Sequence, residues 1–227
     1  MIPTNLYPDL FPNLNVADLD VVGGAAGPGQ RLVVWLQGCL KRCPGCANRP
    51  FLPERRARAV AWPRLLLELK GLDGVTFSGG EPMLQAAALD PFAAAVRRRG
   101  QTVVCYTGYT LTELRAEAGA IARLLDNVDL LIDGEYERDR PRGGLYRPSA
   151  NQRVHRLSGR IRLEAHAGIA ETVIRIQGGR VTRTGTLPAA AGAALGDRLA
   201  AMGIRLRPDW PSPPASRTVR DRTGGRP

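Results

Sequence analysis

The sequence predicts an α/β domain built on a parallel sheet, and three observations predict it. Short apolar runs at 31–37, 74–77, 102–106 and 128–133 have the length and the β-branched content of buried strands. The stretches between them carry helix start and stop signals instead of tight-turn signals. Strands separated in this way run parallel, because parallel neighbours need a crossover connection and antiparallel ones do not.

The first two dozen residues read as irregular, with Pro3, Pro8 and Pro12 preventing a continuous helix and Gly23-Gly24 leading into a Gly27-Pro28-Gly29 turn. The first strand is expected from Arg31 to Gln37, and its end delivers Cys39. A loop follows to about Pro53, then a helix from Trp62 to Lys70 with Pro63 in its first turn. Gly74 to Phe77 is the second strand. A short helix is expected after Glu81, with a restart that uses Asp90 as N-cap, Pro91 at the first helical position, Arg97–Arg99 in the last turn and Gly100 as terminator. Thr102 to Tyr106 is the third strand. Thr110-Leu-Thr-Glu113 is a capping box opening a helix that should run to Leu125, before a fourth strand from Val128 to Asp133.

Beyond this core, 135–148 is crowded with charge, Gly and Pro and is expected to loop over the mouth of the site. Arg153–Leu157 and Arg160–Glu164 read as short strands. Thr172–Gln177 and Arg180–Thr184 alternate across Gly178-Gly179, which predicts a C-terminal β-hairpin. Ala189–Met202 reads as a helix, and Ile204–Leu206 as a strand that closes the sheet. The expected organisation is therefore one domain over 1–207, with its core at 27–153 and an extension at 154–207. From Pro208 onward, prolines and arginines predict a disordered basic tail over 208–227.

At 227 residues the chain is long enough to bury a core, and 44% apolar with 23% charged residues is a globular composition. No run approaches the roughly 20 apolar residues of a membrane span. The first ten residues lack the basic start and apolar stretch of a secretory signal. A cytoplasmic location is expected, which also suits four cysteines that must stay reduced. The net charge of +11 raises nucleic acid as a partner. No helix-turn-helix or RNA-binding signature accompanies it, and an acidic protein partner would use the same charge through steering.

Chemistry concentrates in Gly38-Cys39-Leu-Lys-Arg-Cys43-Pro-Gly-Cys46-Ala-Asn48. A closed zinc site needs four N or S ligands, and no fourth Cys or any His lies near this triplet. A [4Fe-4S] cluster held by three thiolates keeps one iron open to a substrate, so the triplet reads as catalytic. Cys105 lies in the apolar run 102–106 and reads as a buried small hydrophobe. His155 and His166, in arginine-rich segments, read as surface or structural residues. Thr107-Gly108 is open between a turn and a ligand contact, and Asp133 between a strand-end ligand and a helix cap.

The Cys-x3-Cys-x2-Cys spacing resembles that of the radical S-adenosylmethionine enzymes, and the likeness extends from about 27 to 153. Gly27-Pro-Gly-x-Arg31 and Gln37-Gly38 resemble the glycyl-radical-enzyme activases. Val75-Thr-Phe-Ser-Gly79-Gly80-Glu81-Pro82 is similar to the segment that holds the amino group of S-adenosylmethionine, and Tyr106–Thr110 and Asp129–Gly134 resemble strand ends of that group. Pro148-Ser-Ala-Asn-Gln-Arg153 is similar to a segment of the anaerobic ribonucleotide reductase activases. Ordered agreement of several motifs is more specific than any one of them.

The resemblance implies a partial (β/α) barrel with the cluster at the strand C-terminal ends. It implies Cys39, Cys43 and Cys46 as cluster ligands, and Gly45, Cys46 and Ala47 as backbone beside the adenine. Gly79, Gly80 and Glu81 would hold the methionine end, with Thr107 and Asp133 as further cofactor contacts. Implied cofactors are a [4Fe-4S] cluster and S-adenosyl-L-methionine; implied partners are a glycyl-radical protein and a reduced flavodoxin- or ferredoxin-type donor. Two other readings stay open: a radical enzyme modifying a peptide or small molecule, and a zinc-loop nucleic-acid-binding protein. Ala47 departs from the aromatic residue common in activases, and Glu81 from the Asp frequent in the reductase activases.

Overall fold

The computed structural model describes residues 1–140, 144–163, 172–177, 180–185 and 189–204. The chain divides into two compact units, Met1–Thr186 and Leu187–Pro227. The first holds a seven-stranded sheet. Its strands are β1 (Leu14–Gly23), β2 (Gln30–Leu36), β3 (Arg58–Val60), β4 (Gly74–Gly79), β5 (Thr102–Tyr106), β6 (Leu130–Asp133) and β7 (Arg153–Arg156), in the spatial order β3-β1-β2-β4-β5-β6-β7. Strands β2, β4, β5 and β6 are parallel and adjacent in chain order, as the spacing predicts. Antiparallel strands flank them on both sides.

The crossovers are α1 (Trp62–Glu68), α2 (Ala86–Arg98), α3 (Leu111–Arg115) and α4 (Ala120–Asp126). Strand alternation sends Leu32, Val34, Leu36, Val75, Phe77, Val103, Cys105 and Leu131 toward the main core, where they pack with Leu89, Phe92, Ile121 and Leu124. The opposite face carries Val33, Val104, Leu130 and Ile132. It also carries Arg31, fully buried, which donates to Thr76 Oγ1, Pro28 O, Thr102 Oγ1, Val75 O and Thr102 O at 2.7–3.1 Å. This guanidinium ties β2 to β4 and β5 at the edge opposite the cysteines.

Several expectations are corrected. The segment after Pro12 is a ten-residue strand, β1, because Leu14 and Val16 bury fully and the chain pairs antiparallel with β2. Strand β3 was also not anticipated. Asp90 is no N-cap: α2 starts at Ala86 and runs through Pro91, and the Asp90 carboxylate accepts from Arg123 Nε and Asn127 Nδ2 of the α4 region. The capping box at Thr110 is present, but the helix stops at Arg115, since Gly119 at φ 67° breaks the path before α4. Residues 160–163 form no strand, with Ile161 packing as a loop residue against Val104 and Ile132. Ile204 is not in a strand, and 164, 166 and 205–227 lie outside the described residues.

The hairpin is present as β8 (Thr172–Gln177) and β9 (Arg180–Gly185), and Val173 packs on the Val22–Val33 cluster. The second unit contains α5 (Ala189–Ala201), one residue shorter than expected. Among the described residues no helix is long and apolar enough to cross a membrane.

Candidate functional site

Because β2, β4, β5 and β6 are parallel, their C-terminal ends share one edge of the sheet. Past the end of β2, Gln37-Gly38 feeds the cysteine loop. Its root is closed by Gly38 N donating to Phe51 O (2.8 Å) and Cys39 N to Leu52 O (3.0 Å). Gln37 Nε2 adds bonds to Phe51 O (3.2 Å) and Pro53 O (2.6 Å). Inside the loop, Arg42 and Gly45 take positive φ of 49° and 77°, and Cys46 N donates to Cys43 O at 3.1 Å. Asn48 Nδ2 reaches Gly79 O at 3.2 Å, so the loop is tied to the end of β4.

All three thiols of the triplet are free. Cys39 is buried, and its thiol is pushed up to about 11, mainly by loss of hydration. Burial also raises Cys43 and Cys46; backbone amides, Tyr136 toward Cys43 and Asn48 toward Cys46, pull the other way. Deprotonation on metal binding would remove this cost, since a coordinated thiolate is neutralised by its metal. Cys105 lies in the main core on the helix side of β5 and is held apart from the triplet, as expected of a buried hydrophobe. Among the described residues no three Cys, His, Asp or Glu side chains converge on a single-ion position. The chemistry of the donors fits a [4Fe-4S] cluster: three free thiols on one rooted loop, with the fourth cysteine, Cys105, apart in the core.

The turn after β4 packs directly on this loop. Gly80 N donates to Leu36 O (2.7 Å) and Glu81 N to Gly38 O (2.8 Å). A Cβ on Gly79 would lie 2.7 Å from Trp35 Cα, and one on Gly80 would lie 2.8 Å from the Gly38 carbonyl carbon. Both glycines are therefore needed for backbone to pass backbone. Glu81 is buried, and its carboxylate accepts from Met83 N (3.0 Å), Thr107 Oγ1 (2.8 Å) and Gly108 N (2.8 Å). Desolvation raises its pKa, with the Met83, Gly108 and Thr107 donors opposing. Glu81 and Thr107 thus form one buried pair that joins the ends of β4 and β5.

Asp133, at the end of β6, is buried and accepts from Leu111 N at 2.6 Å, at the start of α3. His155 Nε2 lies 3.0 Å from the same oxygen but outside hydrogen-bond direction, so the contact is an ion-pair distance without alignment. Gly45 lies under the Arg138 side chain, and Ala47 is exposed. The structure thus brings Cys39, Cys43, Cys46, Gly79, Gly80, Glu81 and Thr107 to adjoining strand ends, and gives the Asp133 carboxylate to α3.

Two residues at the mouth lie in segments the sequence singles out, the cysteine loop and the charged stretch from 135, but their pairing has no signal in the sequence. Lys41 Nζ lies 3.2 Å from Glu135 Oε1, 3.7 Å from Glu113 Oε1 and 4.2 Å above the Tyr109 ring. Cys43 Sγ donates to Glu135 Oε2 at 3.8 Å.

A family model described as "4Fe-4S single cluster domain" matches residues 25–155, a span that begins before β2 and ends inside β7. The chain belongs to this family. The match takes in the whole parallel core and the cysteine loop. As a member, the chain is similar to the anaerobic ribonucleoside-triphosphate reductase-activating protein of Pasteurella multocida, 32% identical over 150 residues that cover 58% of this chain and 90% of that one. The protein of the same name from Vibrio cholerae is 32% identical over 153 residues, 62% and 94% of the two chains. The pyruvate formate-lyase-activating enzyme of Listeria monocytogenes is 31% identical over 128 residues, 52% of this chain and 51% of that enzyme.

Proposed function

We propose that this chain is a radical S-adenosylmethionine enzyme that installs a glycyl radical on a partner protein. The observation that carries the reading is the rooting of three free thiols, on one loop, against the Gly79–Glu81 turn at the C-terminal edge of the parallel strands. Strands in chain order with the crossover helices packed on one face support the partial (β/α) barrel of that superfamily.

Cys39, Cys43 and Cys46 would hold a [4Fe-4S] cluster. When bound, it supplies the electron for reductive cleavage of S-adenosylmethionine into methionine and a 5′-deoxyadenosyl radical. Gly79 and Gly80 let the turn pack on Trp35 and Gly38, which holds the turn beside the cysteine loop, where the methionine end would lie. Glu81 acts there as a positioning residue, because its carboxylate is already committed to three donors. Gly45, Cys46 and Ala47 supply backbone for the adenine, and Thr107 and Asp133 fix the ends of β5 and β6 around it. The glycine Cα hydrogen of an anaerobic ribonucleoside-triphosphate reductase is the substrate that the relatives favour. A flavodoxin- or ferredoxin-type donor supplies the electron, and the cytoplasm is the compartment.

The test is anaerobic reconstitution with iron and sulfide, then an assay for 5′-deoxyadenosine and for a glycyl radical by EPR in the presence of the reductase. Wild-type protein yields both products. Cys43→Ala yields neither, and retained cleavage in that variant refutes the assignment.

A further inference from the structure

The segment Pro148–Arg153, similar to part of the reductase activases, touches none of the three cysteines. It builds a clamp under the strap Gly134–Arg140. Gln152 Nε2 donates to Gly134 O (3.0 Å), Asn151 Nδ2 to Glu135 O (2.7 Å), Ala150 N to Arg140 O (2.8 Å), and Glu137 N to Ser149 Oγ (3.2 Å). Ser149 is fully buried and Gln152 nearly so, so the clamp is anchored in the fold. Its product is the placement of one carboxylate: Glu135 has its carbonyl held by Asn151, one oxygen 3.2 Å from Lys41 Nζ and the other 3.8 Å from Cys43 Sγ.

We propose that Glu135 and Lys41 are positioning residues that set the reduction potential of the [4Fe-4S] cluster through Cys43. This rests on the proposed cluster chemistry. Reduction adds one electron, supplied by an external one-electron donor, and no proton. Cys43 loses its S–H donor when it ligates as a thiolate, so Glu135 is kept near the sulfur by Lys41 and by Asn151 on its carbonyl. Its carboxylate then opposes the added negative charge, and the Lys41 ammonium favours it. Burial sharpens the second term, since the Lys41 side chain is 18% exposed and the Glu135 side chain 49%. Cluster potentials respond to local charge and to hydrogen bonds on the ligand sulfurs.

The experiment is a redox titration of the reconstituted protein with dithionite as reductant, read by EPR of the reduced cluster, in wild type, Glu135→Gln, Lys41→Gln and Asn151→Ala. Glu135→Gln shifts the midpoint positive and Lys41→Gln shifts it negative. Asn151→Ala, which frees the strap, follows Glu135→Gln by a smaller step. Opposite signs from substitutions of two neighbouring side chains are a signature that general loosening of the loop does not produce. Equal midpoints in the first three proteins, or shifts of one sign for both charge variants, overturn the inference while the cluster chemistry stands. A wild-type chain that takes up no cluster at all overturns both.

Discussion

Replacing Gly80 with alanine tests whether the turn after β4 positions the cysteine loop by contact alone. Gly80 has no positive φ, so alanine meets no backbone strain there, and the effect is steric. The new Cβ would stand 2.8 Å from the Gly38 carbonyl carbon, 2.9 Å from Gly38 N and closer still to the oxygen. To regain 3.4 Å of ordinary contact, the Gly38 carbonyl must retreat by roughly 1 Å, its oxygen being the nearest atom. That movement stretches the Glu81 N–Gly38 O and Gly80 N–Leu36 O bonds, now 2.8 and 2.7 Å. Overpacking of this kind costs about 1–3 kcal/mol, and weakening two backbone bonds adds about 1 kcal/mol each. A total of about 3–5 kcal/mol is expected, a large share of an ordinary domain's stability. With a urea slope of about 2 kcal/mol per molar, the midpoint falls by about 1.5–2.5 M. Urea unfolding of the reduced, metal-free protein by far-UV circular dichroism measures this, and iron bound per chain after reconstitution reports on the loop. Gly159→Ala is the control, since nothing lies within 4 Å of that position. A Gly80→Ala protein with the midpoint and iron content of that control refutes the reasoning.

Three further outcomes are expected. Arg31→Leu leaves Val75 O and Thr102 O without their donors and costs about 3–5 kcal/mol in thermal or urea unfolding; Arg31→Lys recovers only part of it, because an ammonium cannot span five acceptors on three chain segments. Glu81 has a folded-state pKa raised by burial, so the folded protein binds its proton more tightly than the unfolded one. Its contribution is therefore full below the unfolded value of 4.5 and is lost as pH rises through the folded value. Glu81→Gln flattens that part of the stability–pH profile, and also lowers stability by about 1–3 kcal/mol at all pH, since one amide oxygen cannot serve Met83, Thr107 and Gly108 together. Unfolding midpoints of both proteins between pH 4 and 8 check this, and parallel profiles contradict it. Cys105→Ser places a hydroxyl in the main core and costs about 1–3 kcal/mol, yet leaves iron content and the cluster's absorption unchanged.

The parallel core was legible because its strands are local apolar runs whose ends carry Gly, Asp or Thr, and β5 has the bounds its sequence predicts. Elements that depend on distant partners were not. Strand β1 was obscured by the prolines before it, although Leu14 and Val16 alternate with polar neighbours; its pairing with β2 and β3 makes the strand. At Asp90-Pro91 a local cap signal lost to tertiary contacts: the carboxylate found Arg123 and Asn127, and α2 absorbed the proline. Many arginines behind the +11 charge also serve the fold, with Arg97, Arg99 and Arg160 donating to the carbonyls of Asp126, Leu66 and Gln101.

The sequence by itself determined the close spacing of three thiols, because Cys39, Cys43 and Cys46 lie within eight residues and share one loop whatever the rest of the chain does. It also determined that Gly80 and Glu81 follow a strand, which in the structure ends at Gly79. Only the tertiary structure decided what surrounds those sulfurs. Glu135 reaches Cys43 across 92 residues, and Thr107 reaches Glu81 across 26, through the register of parallel strands and the clamp at Pro148–Arg153. The physical reason is range: ligand spacing is a property of a short covalent segment, whereas the charges and hydrogen bonds that tune it come from residues that only the packed sheet brings within a few ångströms.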